Sequence, residues 1–196
     1  MSSKTKFALS IIESLDFEDE QDRLEGQILR NILRLSGNQV DYIYIRTWKE
    51  AQVAFTRFYD SHNRYLHISC HGSSDTIALT LENVRFQLFG DKISNYLKDR
   101  RLFFSACEVV NDDLADAIMQ RSRCYSLIGP RRSICFDDSA LMWASFYHLM
   151  FRDGDDVMKG GKIRWALRRI RHAFGEEFDY YTRTRTGYKK VNIEQR

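Results

Sequence analysis

Apolar positions along this chain fall into short continuous runs, with stretches of helical periodicity between them. Phe7 to Ile12 is a first brief run, and Asp41-Tyr42-Ile43-Tyr44-Ile45, rich in β-branched and aromatic residues, is a second. Between them Leu24, Ile28, Ile32 and Leu35 recur at helical spacing among charged residues, and Gly37 is placed to end that helix in a left-handed cap. Thr47 followed by Glu50 is a capping box that opens a helix through about Tyr59. Tyr65 to Cys70 reads as a third strand. Ile77, Leu79 and Leu81, then Val84, Phe86 and Leu88, alternate on either side of Glu82-Asn83, which predicts a small hairpin. Asp91 opens a short helix carrying Ile93, Tyr96 and Leu97, and Leu102 to Ala106 is a fourth core strand. Asn111-Asp112-Asp113 caps a helix with Leu114, Ala117 and Ile118 inward. Tyr125 to Ile128 is a fifth strand, closed by Gly129-Pro130. Asp137 or Asp138 caps a helix through Trp143, Phe146, Tyr147 and Met150. Gly160-Gly161 breaks the chain before a basic helix from about Lys162 to Phe174.

The order is β-α-β-α-β, hairpin, α-β-α-β-α-α. Such alternation predicts an α/β fold with a mostly parallel central sheet and helices on both faces. No repeat and no low-complexity segment interrupts it.

Bulk properties narrow the class. The chain has 196 residues, enough for one domain with a substantial core, and a single proline argues against a Pro-rich linker. No apolar run has transmembrane length, and the N-terminus lacks the features of a signal peptide. The expectation is a cytoplasmic protein with no membrane contact. Cys70, Cys107, Cys124 and Cys135 then read as free thiols. A cluster of His71 with Cys107, Cys124 and Cys135 matches no standard metal spacing, so no metal site is expected. No cofactor is expected either, and there is no EF-hand-type loop. Charge is uneven: residues 162–196 hold ten basic and four acidic residues, net +6, against −3 for the rest of a chain of net +3.

The chemistry concentrates at the ends of two runs. His71-Gly72 closes the third strand, and Ser105-Ala106-Cys107 closes the fourth. Ligands of open parallel sheets bind beyond the carboxyl ends of the strands. If these strands are neighbours, a histidine and a thiol share one crevice, and a thiolate is the reactive form. Backbone N–H groups of Gly72 and Cys107 are placed to serve as oxyanion donors. Nucleophile, base and oxyanion hole together make a set for acyl transfer. Taken singly, a cysteine at a strand end also reads as a core thiol, and a histidine before glycine as a turn residue. Cys70 points to the opposite face, His67 reads as an interior histidine, and Cys124 and Cys135 as structural thiols.

Leu66-His67-Ile68-Ser69-Cys70-His71-Gly72, with Phe103-Phe104-Ser105-Ala106-Cys107-Glu108, resembles the CHAT branch of the caspase-like (clan CD) cysteine peptidases. Similar counterparts exist for the hairpin, for Leu127-Ile128-Gly129-Pro130, for Ser145-Phe146-Tyr147-His148-Leu149 and for Trp165-Ala166-Leu167, so the resemblance covers roughly residues 60–175. It implies a three-layer caspase-like fold and an endopeptidase with His71 as base, Cys107 as nucleophile, and Gly72 and Cys107 as oxyanion donors. One departure is Val109-Val110-Asn111, where the family often has glycine. Relatives build the pocket for the residue before the cut beside the nucleophile, here Ser105, and after the fifth strand, here Arg131, Arg132, Asp137 and Asp138. An acidic pocket residue selects Arg or Lys, and an arginine selects Asp. The preferred expectation is an acidic pocket; the same acids also read as helix caps, and the arginines as solvated loop charges.

The resemblance further implies a protein substrate, an activating partner or ligand, and a role as a regulated effector in bacterial or antiviral defence or cell death. The division expected is a caspase-like domain over 1–179 and a basic C-terminal tail over 180–196. Basic and aromatic residues interleave across Lys162–Arg196, which opens a second reading: a catalytically silent caspase-like module that binds a protein or nucleic acid there. The amphipathic helix packed by its apolar face is the simpler account of residues 162–174.

Overall fold

The computed structural model of the chain describes residues 8–152 and 157–194; Phe7, read as the start of the first strand, lies outside them. Among the described residues, six α-helices and a nine-stranded, mostly parallel sheet make a mixed α/β fold. Strands β1 (Ala8–Ser14), β2 (Gln39–Tyr44) and β3 (Tyr65–Gly72) form a parallel block with β6 (Arg101–Ser105) and β7 (Ser126–Pro130), in the order β2-β1-β3-β6-β7. Two further strands, β8 (Phe178–Arg183) and β9 (Tyr188–Lys190), extend it antiparallel beyond β7. The hairpin of β4 (Thr76–Ala78) and β5 (Asn83–Arg85) hangs from the end of β3.

Central position explains composition. β3 lies between β1 and β6, and every residue from Tyr65 to Cys70 is buried, as a strand covered on both faces requires. Alternate residues of β6 enter two separate cores: Leu102 and Phe104 one, Phe103 the other. Helices α2 (Trp48–Asp60), α3 (Phe86–Ile93) and α4 (Asp112–Met119) fill the first core. The second is filled by α1 (Glu25–Leu35), α5 (Phe136–Phe151) and α6 (Gly160–Phe174).

Local signals act as their chemistry predicts at three helix ends. The Thr47/Glu50 capping box is complete, the Asn111 side chain accepts from Leu114 N–H at 3.0 Å, and Gly37 takes φ 75° after α1.

Three readings are corrected. The apolar stripe of α1 is not its core face: Leu29 and Leu33 are buried, while Ile28, Ile32 and Leu35 face outward. The first turn is pinned by the Gly26 N–H, which donates to buried Glu13 Oε1 at 2.6 Å, and this sets the rotation of the helix. Strand alternation stops at Arg85, because Phe86 already begins α3; a 3₁₀ turn at Ser94–Tyr96 follows where a helix from Asp91 is expected. Neither Asp137 nor Asp138 caps α5. Cys135 holds the N-cap position without a side-chain bond, and both acids sit in the first turn, where the helix dipole favours them. Residues 178–190 hold β8 and β9, and β8 spans positions 179 and 180.

Candidate functional site

β3 and β6 are adjacent and parallel, with Ser69 opposite Ser105. Two residues further on each chain stand His71 and Cys107, both half-buried at the carboxyl end of the sheet. The two residues singled out in the sequence therefore share one edge. Cys107 Sγ faces the Ile134 carbonyl at 3.9 Å, and the His71 ring meets Phe136 edge-on at 5.4 Å between centroids. Residues 134–136 thus lie against both members of the pair.

His71 has a partner that the sequence does not announce. Its Nε2 is 2.7 Å from Asp19 Oδ2, and Asp19 also holds Arg23 at 2.8 Å. A carboxylate only accepts, so Nε2 donates and the neutral ring keeps its lone pair on Nδ1. Asp16, Asp19 and His71 bring three donor atoms within 4.8 Å of one another, as do Cys135, Asp137 and Asp138; these are the groups among the described residues that could hold a cation.

Backbone geometry is particular on both sides of the crevice. Glu108, directly after Cys107, sits at φ 57°, a left-handed conformation that non-glycine residues seldom adopt and that clusters at functional sites. Gly72 leaves no room for a side chain: a Cβ there would run into Val109 Cγ2 and lie 3.0 Å from the Thr76 carbonyl. Val109 is therefore the residue that closes over Gly72. Gly72 itself pairs with Ile77 of the hairpin.

Beneath the pair lies a buried carboxyl cluster. Glu25 accepts from the Ser105 hydroxyl at 2.6 and 2.7 Å, from Ser139 at 3.2 Å and from Ser69 at 3.3 Å. Burial pushes its carboxyl up to about 8, reinforced by the neighbouring charge of Glu13. Glu13, bonded to Gly26 N–H and to the Tyr42 hydroxyl at 2.7 Å, is also raised by burial. Glu25 lines a cavity of about 520 Å³ together with Asp22, Arg23, Asp137, Cys135 and Phe136. Ser105 and residues 134–136 connect this cavity to Cys107 and His71.

The remaining predicted residues separate. Ser105 is buried and bound to Glu25, and Asp137 lines the cavity. Asp138 is exposed beside it and does not line it. Arg131 is turned away, paired to Glu177 and Asp179 at 2.8 Å each, and Arg132 is exposed. His67 is fully buried, bonded through Nδ1 to the Tyr147 hydroxyl at 2.9 Å, and burial depresses it to about 3. Cys70 is a core thiol pushed strongly up by burial, and Cys124 is raised to about 11. Cys135, read as structural, is exposed at the cavity mouth. The residues that sequence reasoning missed are Asp19, Asp22 and Glu25. Their signal is the acidic segment 16–25, which follows the first strand at the same sheet edge.

No family model and no curated protein matches the chain. Among solved structures, one described as an ABC transporter permease from the Pseudomonas fluorescens group matches with TM-score 0.45 and 7% identity, over 95% of this chain. The chain spans about 56% of that protein's length. Likeness at that level carries no argument about fold or function. No helix among the described residues is long and apolar enough to cross a membrane.

Proposed function

We propose that the chain is a cysteine endopeptidase of three-layer caspase-like architecture that cuts a partner protein. The observation that carries the reading is the juxtaposition of His71 and Cys107 at the ends of neighbouring parallel strands, over an acidic cavity. Cys107 is the nucleophile. His71 takes its proton at Nδ1 and returns it to the leaving amine, while Asp19 holds the ring through Nε2. Thiolate attack on the scissile carbonyl gives a tetrahedral oxyanion, for which the N–H groups of Gly72 and Cys107 are the donors. Water then releases the acyl group from sulfur.

Asp22, Glu25 and Asp137 line the cavity together with one cation, Arg23, which Asp19 already pairs, so the balance of charge favours a basic residue before the cut. An incoming guanidinium or ammonium favours the ionised form of Glu25. The chain acts as a cytoplasmic effector in defence or cell death, with an activating partner or ligand and no cofactor.

The silent-module reading has one observation in its favour: Cys107 Sγ lies against the Ile134 carbonyl at 3.9 Å. Against nucleic-acid binding by residues 180–196, Lys190 is bound to Asp179 at 2.8 Å, and the Arg183 guanidinium reaches the carbonyls of Met119, Ser122 and Cys124.

The test is an assay of wild type and Cys107→Ala on fluorogenic peptides ending in Arg, Lys, Asp or Leu before the cut. Cleavage after Arg and Lys by wild type alone is the expected result. Turnover by Cys107→Ala, or a preference for Asp, sinks the respective half of the proposal.

A further inference from the structure

The outward stripe of α1 divides between two surfaces: Ile28 lines the cavity that holds Glu25, and Ile32 lines a separate groove. Ile28, Ile32 and Leu35 are 44%, 39% and 88% exposed, spaced at one helical face, while a different pair of leucines on the same helix meets the core. Ile32 also forms one wall of a groove of about 920 Å³ whose other walls are α5, through Ala144 and Leu149, and α6, through Trp165 and Phe174. Three helices thus leave an apolar channel open to solvent where a fourth would complete the packing.

The rim of this channel is basic. Arg168, Arg169, His148 and His172 line it, and α6 carries four arginines and one lysine without a single acid over Gly160–Phe174. Arg171 is paired with Glu177 and Glu194, but among the described residues neither Arg168 nor Arg169 meets a carboxylate. Arg169 lies instead over the Trp165 ring at 4.7 Å. These two cations therefore lack a counter-charge that a ligand could bring.

We propose that the groove between α1, α5 and α6 docks an amphipathic helix of a partner protein, its apolar stripe on Ile32 and Trp165 and its flanking acids on Arg168 and Arg169. A continuous apolar groove with two cations on its rim matches the apolar stripe and flanking acids of a helix more closely than a phosphate backbone, which calls for a longer run of cations. This surface is separate from the His71/Cys107 crevice, so its test does not depend on peptidase activity.

The experiment uses the full chain and a fluorescein-labelled helical peptide of about 16 residues, with leucines along one face and glutamates beside them. A twin with lysine for glutamate and an oligouridine of similar length serve as competitors. Saturable binding of the glutamate peptide is expected, roughly tenfold or more tighter than its lysine twin. The charge reversal Arg168→Glu with Arg169→Glu should invert that preference. Ala173→Trp, which fills the groove from an exposed position, should abolish binding of both while leaving the thermal midpoint in place. Equal affinity for the two peptides overturns the proposal, as does binding that survives Ala173→Trp. Displacement by oligouridine, or a dimer of the wild type that Ala173→Trp dissociates, replaces the partner helix with a different occupant and equally overturns it.

Discussion

The hydroxyl of Ser105 is bound to the carboxyl group of Glu25 at 2.6 and 2.7 Å, two residues before Cys107 in the chain. This single contact joins the cavity that Glu25 lines to the end of β6, two residues before Cys107. It means that the charge state of Glu25 and the placement of Cys107 share one support.

That support titrates. The folded state raises Glu25 from 4.5 to about 8, so it binds a proton that the unfolded chain has released. Its stabilising effect is complete below about pH 4.5 and is lost as pH rises through about 8. His67 works in the opposite direction. Folding lowers it from 6.5 to about 3, so its contribution is complete above pH 6.5 and is lost as pH falls toward 3. Stability should peak between these limbs, with each limb worth on the order of a few kcal/mol. Urea midpoints measured across pH are the check. Glu25→Gln should flatten the alkaline limb alone, and His67→Gln, which keeps a polar partner for Tyr147, the acid limb alone. An alkaline slope unchanged in Glu25→Gln refutes the assignment.

The four thiols should fall into two classes. Cys107 is half-buried and Cys135 exposed, whereas Cys70 and Cys124 are buried with raised thiols. Mass spectrometry after brief iodoacetamide treatment of the native protein should find label on Cys135 and Cys107 only. In a Cys135→Ser background the label should concentrate on Cys107, and His71→Ala should slow it roughly tenfold or more by removing the base. Rapid labelling of Cys70 in folded protein contradicts the packing described for β3. A Cys107 rate untouched by His71→Ala removes the dyad and favours the silent module.

Much of this arrangement is legible in the sequence. The strand ends His71-Gly72 and Ser105-Ala106-Cys107 can be placed because buried parallel strands are continuous apolar runs, and runs of that kind dominate β3 and β6. The rotation of α1 is not legible, since both Leu29/Leu33 and Ile28/Ile32/Leu35 make helical stripes, and the choice is made by a distant bond from Gly26 to Glu13. Glu25 is hidden for a related reason: a lone glutamate in an acidic segment reads as solvated, and its burial depends on serines from β3, β6 and α5. β8 escapes because it mixes Asp179, Thr182 and Arg183 with its aromatics, and it is held by pairing with β7, not by any local pattern.

The acidic residue Asp179 offers a test of how firmly that last strand is anchored. It is buried at 4% exposure and bound by Arg131 and Lys190, each at 2.8 Å. Its loss leaves Arg131 and Lys190, both nearly half exposed and Arg131 still paired with Glu177, so the cost is that of the lost charge-assisted bonds, about 1–2 kcal/mol. Asp179→Ala should therefore lower the unfolding free energy by roughly that amount, whereas Arg132→Ala, one residue from Arg131 and exposed, should change it by less than about 0.5 kcal/mol. Equal effects of the two substitutions would contradict the pairing.

Gly72 and Val109 make the sharpest steric prediction. Any side chain at position 72 meets Val109 from one direction and the Thr76 carbonyl from the other. Gly72→Ala must push Val109 or the hairpin away, and overpacking of this kind costs about 1–3 kcal/mol. Because Val109 is wholly buried and lies two residues from Cys107, the displacement reaches the loop that carries Cys107. Val109→Ala alone opens space and should cost a comparable amount through lost burial. Combined, the two changes should be far less damaging than their sum, since the methyl added at 72 enters the space vacated at 109. A double-mutant cycle on urea unfolding reads this directly, and the rate of Cys107 alkylation in the same four proteins reports the loop. Additive losses would show that Gly72 and Val109 do not share the contact.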